Sequence, residues 1–190
     1  MKATFVLIAS NEVENMARKV MLEAHRKAGL GFEMARLPHH VSLKQPFKID
    51  NLEAVEAYFD EFVSSLGPVK VHFEEVIIWP NRIFGYDSGV MVLKAEKSKE
   101  LIDLHKRLNS ELEERFGSSP ADYDGDAYAF HMTLAIGGRS FEDYQKAYEL
   151  LDKKIYDLDT VFDQMALLYY DNDDITPGTY FCYKRVSLFE

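Results

Sequence analysis

The chain is poor in cysteine, with one residue, Cys182, in 190. A single thiol excludes an intrachain disulfide and a cysteine-rich zinc site, and it fits a reducing compartment. Long apolar runs are also missing. Nothing approaches the roughly 18–20 residues of a membrane-crossing helix, so no membrane partner is expected. Basic residues are outnumbered, 22 against 32 acidic, for a formal charge of −10. Affinity for a long phosphate backbone comes from Lys and Arg displacing counterions. The balance argues against extended nucleic acid as the main partner, but not against a small phosphate ester held by a few local groups. Low-complexity tracts and linkers rich in Pro, Gly or Ser are absent as well, so no domain boundary shows.

What is present is ordinary for a globular chain: 47% apolar residues over a length that buries a sizeable core without staples. Residues 1–190 are read as a single bilobal domain. The opening "MKATFVLIAS" has one Lys before an apolar run at the short limit for a signal peptide. The following "NEVENMARKV" looks like a capped helix. A buried first strand and a soluble, cytoplasmic protein are expected.

Along the chain, 2–9 reads as a strand and 11–29 as a helix, with Asn11 and Glu14 at capping-box spacing and Gly29 as the stop. A short strand at 40–43 ends by Pro46. Asp50 is placed to cap a helix over 52–65, stopped by "GP" at 67–68. Strands are expected at 69–79, 82–86 and 89–94, with turns at "PN" and "DSG". Leu101, Leu104, Leu108 and Leu112 set a helix over 98–116. A loop at 117–128, a strand at 131–136, a helix at 140–151 and strands at 161–170 and 179–189 complete the reading. Each half therefore runs strand, helix, short strand, helix, strands, which suggests an internal α+β repeat forming two lobes.

Each short strand carries a related phrase: "HVSL" at His40–Leu43 and "HMTL" at His131–Leu134. Residues two apart on a strand share a face. His40, Ser42 and Lys44 thus lie on one side, with Val41 and Leu43 opposite, and His131 and Thr133 repeat the arrangement. In-line cleavage of a phosphate ester needs a proton taken from the attacking oxygen and one given to the leaving oxygen. Two imidazoles can divide those tasks near neutral pH. The hydroxyls of Ser42 and Thr133 can hold the non-bridging oxygens, and Lys44 can add charge beside the phosphate. No metal or other cofactor is required. A 2′,3′-cyclic phosphate suits such a set, because its ring supplies the leaving oxygen. Singly, either phrase is more often structural than catalytic; the pair, at matching places in a repeat, favours function.

The paired His-X-Ser/Thr-hydrophobic phrases resemble the signature of the 2H phosphoesterase superfamily, which includes the LigT-like 2′-5′ RNA ligases and 2′,3′-cyclic nucleotide phosphodiesterases. The resemblance covers most of the chain. It implies an α+β fold of two pseudo-symmetric lobes, each a mainly antiparallel sheet with outer helices, around a central active-site cleft. It makes His40 and His131 the general acid/base pair, and Ser42 and Thr133 the phosphate-binding hydroxyls. The implied partner is a small nucleotide or an RNA-terminus phosphodiester. The assignment of acid and base between the two histidines stays open, as does hydrolysis against ligation.

Other candidates are weaker. His39 is expected on the opposite face from His40, and His25, His72 and His105 have no partner at metal-ligand spacing. "ADYDGDAY" places Asp122, Asp124 and Asp126 at alternate positions, but it is not the EF-hand phrase, and a loop over the cleft is the preferred reading. "DNDD" at 171–174 reads as a solvated turn. Arg82 and Arg139 are candidates to approach a phosphate, and Phe47, Tyr128 and Phe130 are candidates to stack a base.

Overall fold

Among the described residues, alternating and continuous apolar runs assemble into one antiparallel sheet with four helices. The structure is a computed structural model and describes residues 1–83, 85–171, 176 and 178–188. In chain order the elements are β1 (Lys2–Ile8), α1 (Asn11–Ala28), a 3-10 turn (Glu33–Arg36), β2 (His40–Ser42), β3 (Phe47–Lys48), α2 (Leu52–Ser64), β4 (Val69–Ile83), β5 (Tyr86–Ala95), α3 (Lys99–Phe116), β6 (His131–Ile136), α4 (Phe141–Leu150), β7 (Ile155–Phe162), β8 (Gln164–Tyr170) and β9 (Tyr180–Ser187). The strand order is β7-β4-β5-β6-β2-β1-β8-β9, with β3 pairing β1. The fold is α+β, as expected.

The two lobes are the two halves of this sheet, joined where β2 meets β6 at the Val41–Met132 pair. Their relation is a pseudo-repeat with an exchange. β1, α1, β2 and α2 correspond to β5, α3, β6 and α4. The strand after α2, β4, then crosses to flank β5, while β8, after α4, crosses to flank β1. Each half of the chain thus lends a strand to the other lobe, a crossing that the order of elements alone does not specify.

All four helices pack on one sheet face. Val13, Ala17 and Ala24 of α1, Phe59 and Phe62 of α2, Leu108 and Leu112 of α3 and Tyr144 of α4 share a core with Phe5, Leu7, Val41, Leu93 and Met132. Phe5 meets Phe59 edge to face at 5.0 Å, an arrangement aromatic rings favour. The alternate residues of β1 point the other way: Val6 and Ile8 form a second small cluster with Leu37, Ala166, Leu168 and Tyr170. That second face also carries the motif histidines.

Helix boundaries follow their caps. Ser10, not Asn11, caps α1, accepting from the Val13 amide at 3.4 Å. Gly29 closes it at φ +69°, a conformation that suits glycine. Asn51, not Asp50, caps α2 at 3.0 Å from the Ala54 amide. In both cases the residue whose backbone is still non-helical takes the role. The expected turn at "PN" is not there: Pro80 pairs with Gly89 inside a long hairpin, and the reversal comes at Gly85, with φ +83°. β7 flanks β4 only as far as Glu75, so Pro80 lies where β4 has one free edge, and proline is tolerated there. The expected strand at 161–170 is two strands broken at Asp163, one pairing β4 and the other β1. The expected strand at 179–189 is β9, and residues 172–174 of "DNDD" and residue 189 lie outside the described ones.

Candidate active site

The two phrases become two neighbouring antiparallel strands. Val41, Leu43, Met132 and Leu134 are at most 1% exposed and anchor β2, β6 and their edges in the core. His40, Ser42, His131 and Thr133 are half-buried on the opposite face. Val41 pairs with Met132. Carrying that register one residue each way sets His40 across from Thr133 and Ser42 across from His131. The two imidazoles then lie on a diagonal whose backbone separation is roughly 7–8 Å. A register shift in the β5–β6 pairing falls immediately after Thr133, between Val92 and Met91. Such bulges re-aim side chains beside sites.

Both imidazoles are held in the same way. His40 Nδ1 bonds the Pro38 carbonyl at 2.8 Å, and His131 Nδ1 bonds the Ala129 carbonyl at 2.8 Å. A carbonyl only accepts, so each Nδ1 carries the proton and each Nε2 keeps its lone pair for chemistry. Burial lowers the pKa of His40 to about 4, against the Pro38 bond, with small further lowering from His39 and His131. Burial lowers His131 also, opposed by the Ala129 bond. At neutral pH both rings are therefore neutral. Neither the Ser42 nor the Thr133 hydroxyl is engaged in a hydrogen bond among the described residues.

Lys44 does not sit where strand alternation put it. β2 ends at Ser42, and the Lys44 side chain is 1% exposed. Its ammonium meets the carboxylate of Asp124 and the side-chain oxygen of Asn109, and burial lowers its pKa against the pull of Asp124. The cation beside the motif is Lys94, the direct cross-strand partner of His131, with its ammonium 2.8 Å from Glu74. Trp79 is the other missed neighbour. Its ring stands edge to face with that of His131 at 5.1 Å and 88°. Both come from the β4–β5 hairpin, and no motif spacing links them to the histidines. The only sequence signal was that Trp79 is the one tryptophan.

The remaining histidine, arginine and aromatic candidates are buried or are engaged by other groups. Phe47, Tyr128 and Phe130 are 2% exposed and lie in the core rather than open to a base. Tyr128 donates to the Ser42 carbonyl at 3.0 Å. His105 bonds the Leu43 carbonyl through Nδ1 at 2.7 Å and accepts the Gly125 amide at Nε2 at 2.9 Å. These contacts tie the 117–130 segment to the backbone of the first motif. His39 is fully buried; among the described residues neither ring nitrogen makes a hydrogen bond, and Nδ1 lies 3.9 Å from the Glu14 carboxylate. His25 bonds the Leu30 carbonyl at 2.7 Å and His72 bonds Asp159 at 2.9 Å. Arg82 pairs with Asp87 at 3.1 Å, and Arg139 donates to the Gly29 carbonyl at 3.1 Å. Among the described residues no group of three His, Cys, Asp or Glu side chains is placed to hold a metal. No helix among them is long and apolar enough to cross a membrane.

No curated protein matches the chain, whereas solved structures match over nearly the whole length. TT0787 of Thermus thermophilus has a TM-score of 0.65 at 16% identity, with 99% of this chain and 98% of that one covered. A structure described as a phosphoesterase has a TM-score of 0.57 at 12% identity, covering 100% and 98%. E. coli LigT complexed with 3′-AMP has a TM-score of 0.53 at 12% identity, covering 100% and 98%. At such identities these likenesses speak for the fold. The sequence model of the 2′-5′ RNA ligase superfamily matches residues 11–174, a span that includes both histidine phrases. The chain belongs to the 2′-5′ RNA ligase superfamily, a group of 2H phosphoesterases, and that membership supports a phosphoesterase-type activity.

Proposed function

We propose that the chain is a metal-independent phosphodiesterase. It hydrolyses 2′,3′-cyclic phosphates, or related phosphodiesters of nucleotides or RNA ends, by two-histidine acid/base catalysis. The observation that carries this is the matched anchoring of His40 and His131 at Nδ1, which leaves two Nε2 atoms on one face beside two uncommitted hydroxyls. One Nε2 takes the proton of the attacking water. The other, protonated, gives its proton to the leaving ribose oxygen, and Ser42 and Thr133 donate hydrogen bonds to the non-bridging oxygens. The phosphate anion itself favours the charged form of a neighbouring imidazole, which supplies the protonated partner once substrate binds. The relative LigT has been crystallised with 3′-AMP, NADP+ and ATP. The partner in this reading is a small nucleotide or an RNA terminus in the cytoplasm, without long nucleic acid or membrane.

One observation favours a second reading, a nucleotide- or RNA-end-binding module with little turnover: both imidazoles are depressed, His40 to about 4, so the free protein holds no ready acid at neutral pH. Hydrolysis of 2′,3′-cyclic nucleotides, with and without EDTA, decides between them. Activity that survives EDTA and falls ~10²-fold or more in His40→Ala and in His131→Ala supports the two-histidine mechanism. Binding without turnover selects the second reading, and full activity in both variants rules the mechanism out.

A further inference from the structure

The site is symmetric in its histidines and hydroxyls, but not in what flanks them. On β5 the residue across from His131 is Lys94; on β1 the residue across from His40 is Ile8. The pseudo-dyad that relates the two motifs therefore pairs a cation with an apolar side chain. Ile8 is 1% exposed and belongs to the small apolar cluster with Val6 and Leu37. The Lys94 side chain is 43% exposed and, among the described residues, its ion pair is with Glu74. An ion pair so exposed contributes little, so a stronger anion can displace Glu74 from the ammonium. His131 stands between Lys94 and the centre of the motif. Lys94 thus lies outside the pair of imidazoles, where a ligand that continues past the reacting phosphorus would pass.

We propose that Lys94 is a specificity-determining residue that binds a second phosphate of the substrate, on the His131 side of the reacting phosphorus. The proposal rests on the two-histidine reading for the position of the first phosphate. Under it, the preferred substrates are phosphodiesters bearing a further phosphate on that side, and the His40 side takes an uncharged group against Ile8. Glu74 holds the ammonium in place until the ligand arrives.

The test reads binding rather than turnover, through the fluorescence of Trp79, the single tryptophan, beside His131. The probes are adenosine 3′-monophosphate, adenosine 3′,5′-bisphosphate and a dinucleotide whose second phosphate is an internal diester. Calorimetry of the same titrations serves if the emission is unresponsive. The wild type is expected to bind a two-phosphate probe ~10-fold more tightly than the monophosphate, the scale of one charge-assisted contact. The advantage is expected to vanish in Lys94→Met and to widen in Glu74→Gln, which removes the competing carboxylate. Preference for the bisphosphate identifies a terminal phosphate, and preference for the dinucleotide identifies the next backbone phosphate. Equal affinity for all probes in the wild type, or an advantage that persists in Lys94→Met, overturns the proposal. A loss in Glu74→Gln equal to that in Lys94→Met makes the pair structural and overturns it too. A wild type that binds these probes but hydrolyses no cyclic nucleotide fails the activity reading alone, because the ratio of affinities still judges Lys94.

Discussion

Trp79 stands edge to face with His131, ring centroids 5.1 Å apart. The contact joins the tip-ward half of the β4–β5 hairpin to the second motif, and it shields one side of an imidazole whose pKa burial has already lowered. Two effects of removing the indole oppose each other. Readmitting water favours the imidazolium, whereas losing an aromatic neighbour for the cation costs about 0.5–1 kcal/mol at an exposed site and ~2 kcal/mol at a desolvated one. Burial is the largest cause of the shift, so desolvation should win. In Trp79→Ala the His131 pKa is expected to rise, followed by the imidazole ring protons in NMR titrations. A fall would show that the indole steadies the charged ring more than it dehydrates it.

The depressed pKa of His40 makes stability depend on pH. Its folded value, about 4, lies below the ordinary 6.5. Between these values the unfolded chain binds a proton that the folded chain refuses, so stability rises with pH. The contribution is complete above pH 6.5 and is lost as pH falls toward 4, at most roughly 3 kcal/mol from this group. Buried His131 and His39 are lowered as well and act in the same direction. Urea midpoints from pH 7 to 4.5 should decline in the wild type and decline less steeply in His40→Gln. Identical slopes would mean that His40 is no more reluctant to ionise in the fold than out of it.

Much of the site was legible because strand alternation is a local property. His40 with Ser42, and His131 with Thr133, share a face for reasons contained in four residues each. The bounds of the four helices were legible to within a residue, helped by Gly29 as a stop and by the leucine spacing of α3, although the caps of α1 and α2 were each placed one residue away. Lys44 was misplaced because alternation was continued past Ser42, where the strand ends and the chain turns the side chain toward Asp124. β7 was read only at its last two residues, because Asp157 and Asp159 interrupt the apolar pattern of "IYDLDTVF" and an edge strand leaves even Ile155 and Val161 exposed. Trp79 and Lys94 reach the site through pairing with β5 and β6, and such long-range register has no signature in a single sequence. Phe47, Tyr128 and Phe130 show the converse: nearness in sequence to a motif says nothing about facing it.

The Lys44–Asp124 pair gives an unequal mutant series. Lys44 is 1% exposed, while the Asp124 side chain is 25% exposed. Removing Asp124 strands a buried ammonium, and breaking a buried pair in that way costs about 3–5 kcal/mol. Removing Lys44 strands the carboxylate of a side chain that is a quarter exposed and that still accepts from the Ala121 amide at 2.9 Å. Asp124→Ala should therefore destabilise more than Lys44→Met, and the double variant should recover part of the loss. Denaturant unfolding measures all three; equal costs for the single variants would show that the two ends are alike in solvation. Because Asp124 sits in the segment held to the first motif by Tyr128 and His105, Asp124→Ala should also loosen β2, seen as faster amide exchange at Leu43.

Ser42 and Thr133 offer the sharpest separation of binding from catalysis. Their hydroxyls are free among the described residues, so Ser42→Ala and Thr133→Val leave no buried partner unsatisfied and should cost little stability. Thr133→Val also keeps the β-branched shape that suits the strand. Under the proposed mechanism each hydroxyl stabilises charge that grows on the non-bridging oxygens, and loss of one such donor lowers kcat by up to ~10²–10³-fold. The double variant should fall further than either single one while keeping the wild-type urea midpoint. If the loss is confined to KM, the hydroxyls only hold the ground-state phosphate. If neither parameter moves, the phosphate lies off the diagonal between His40 and His131, and the symmetric arrangement of hydroxyls has no catalytic part.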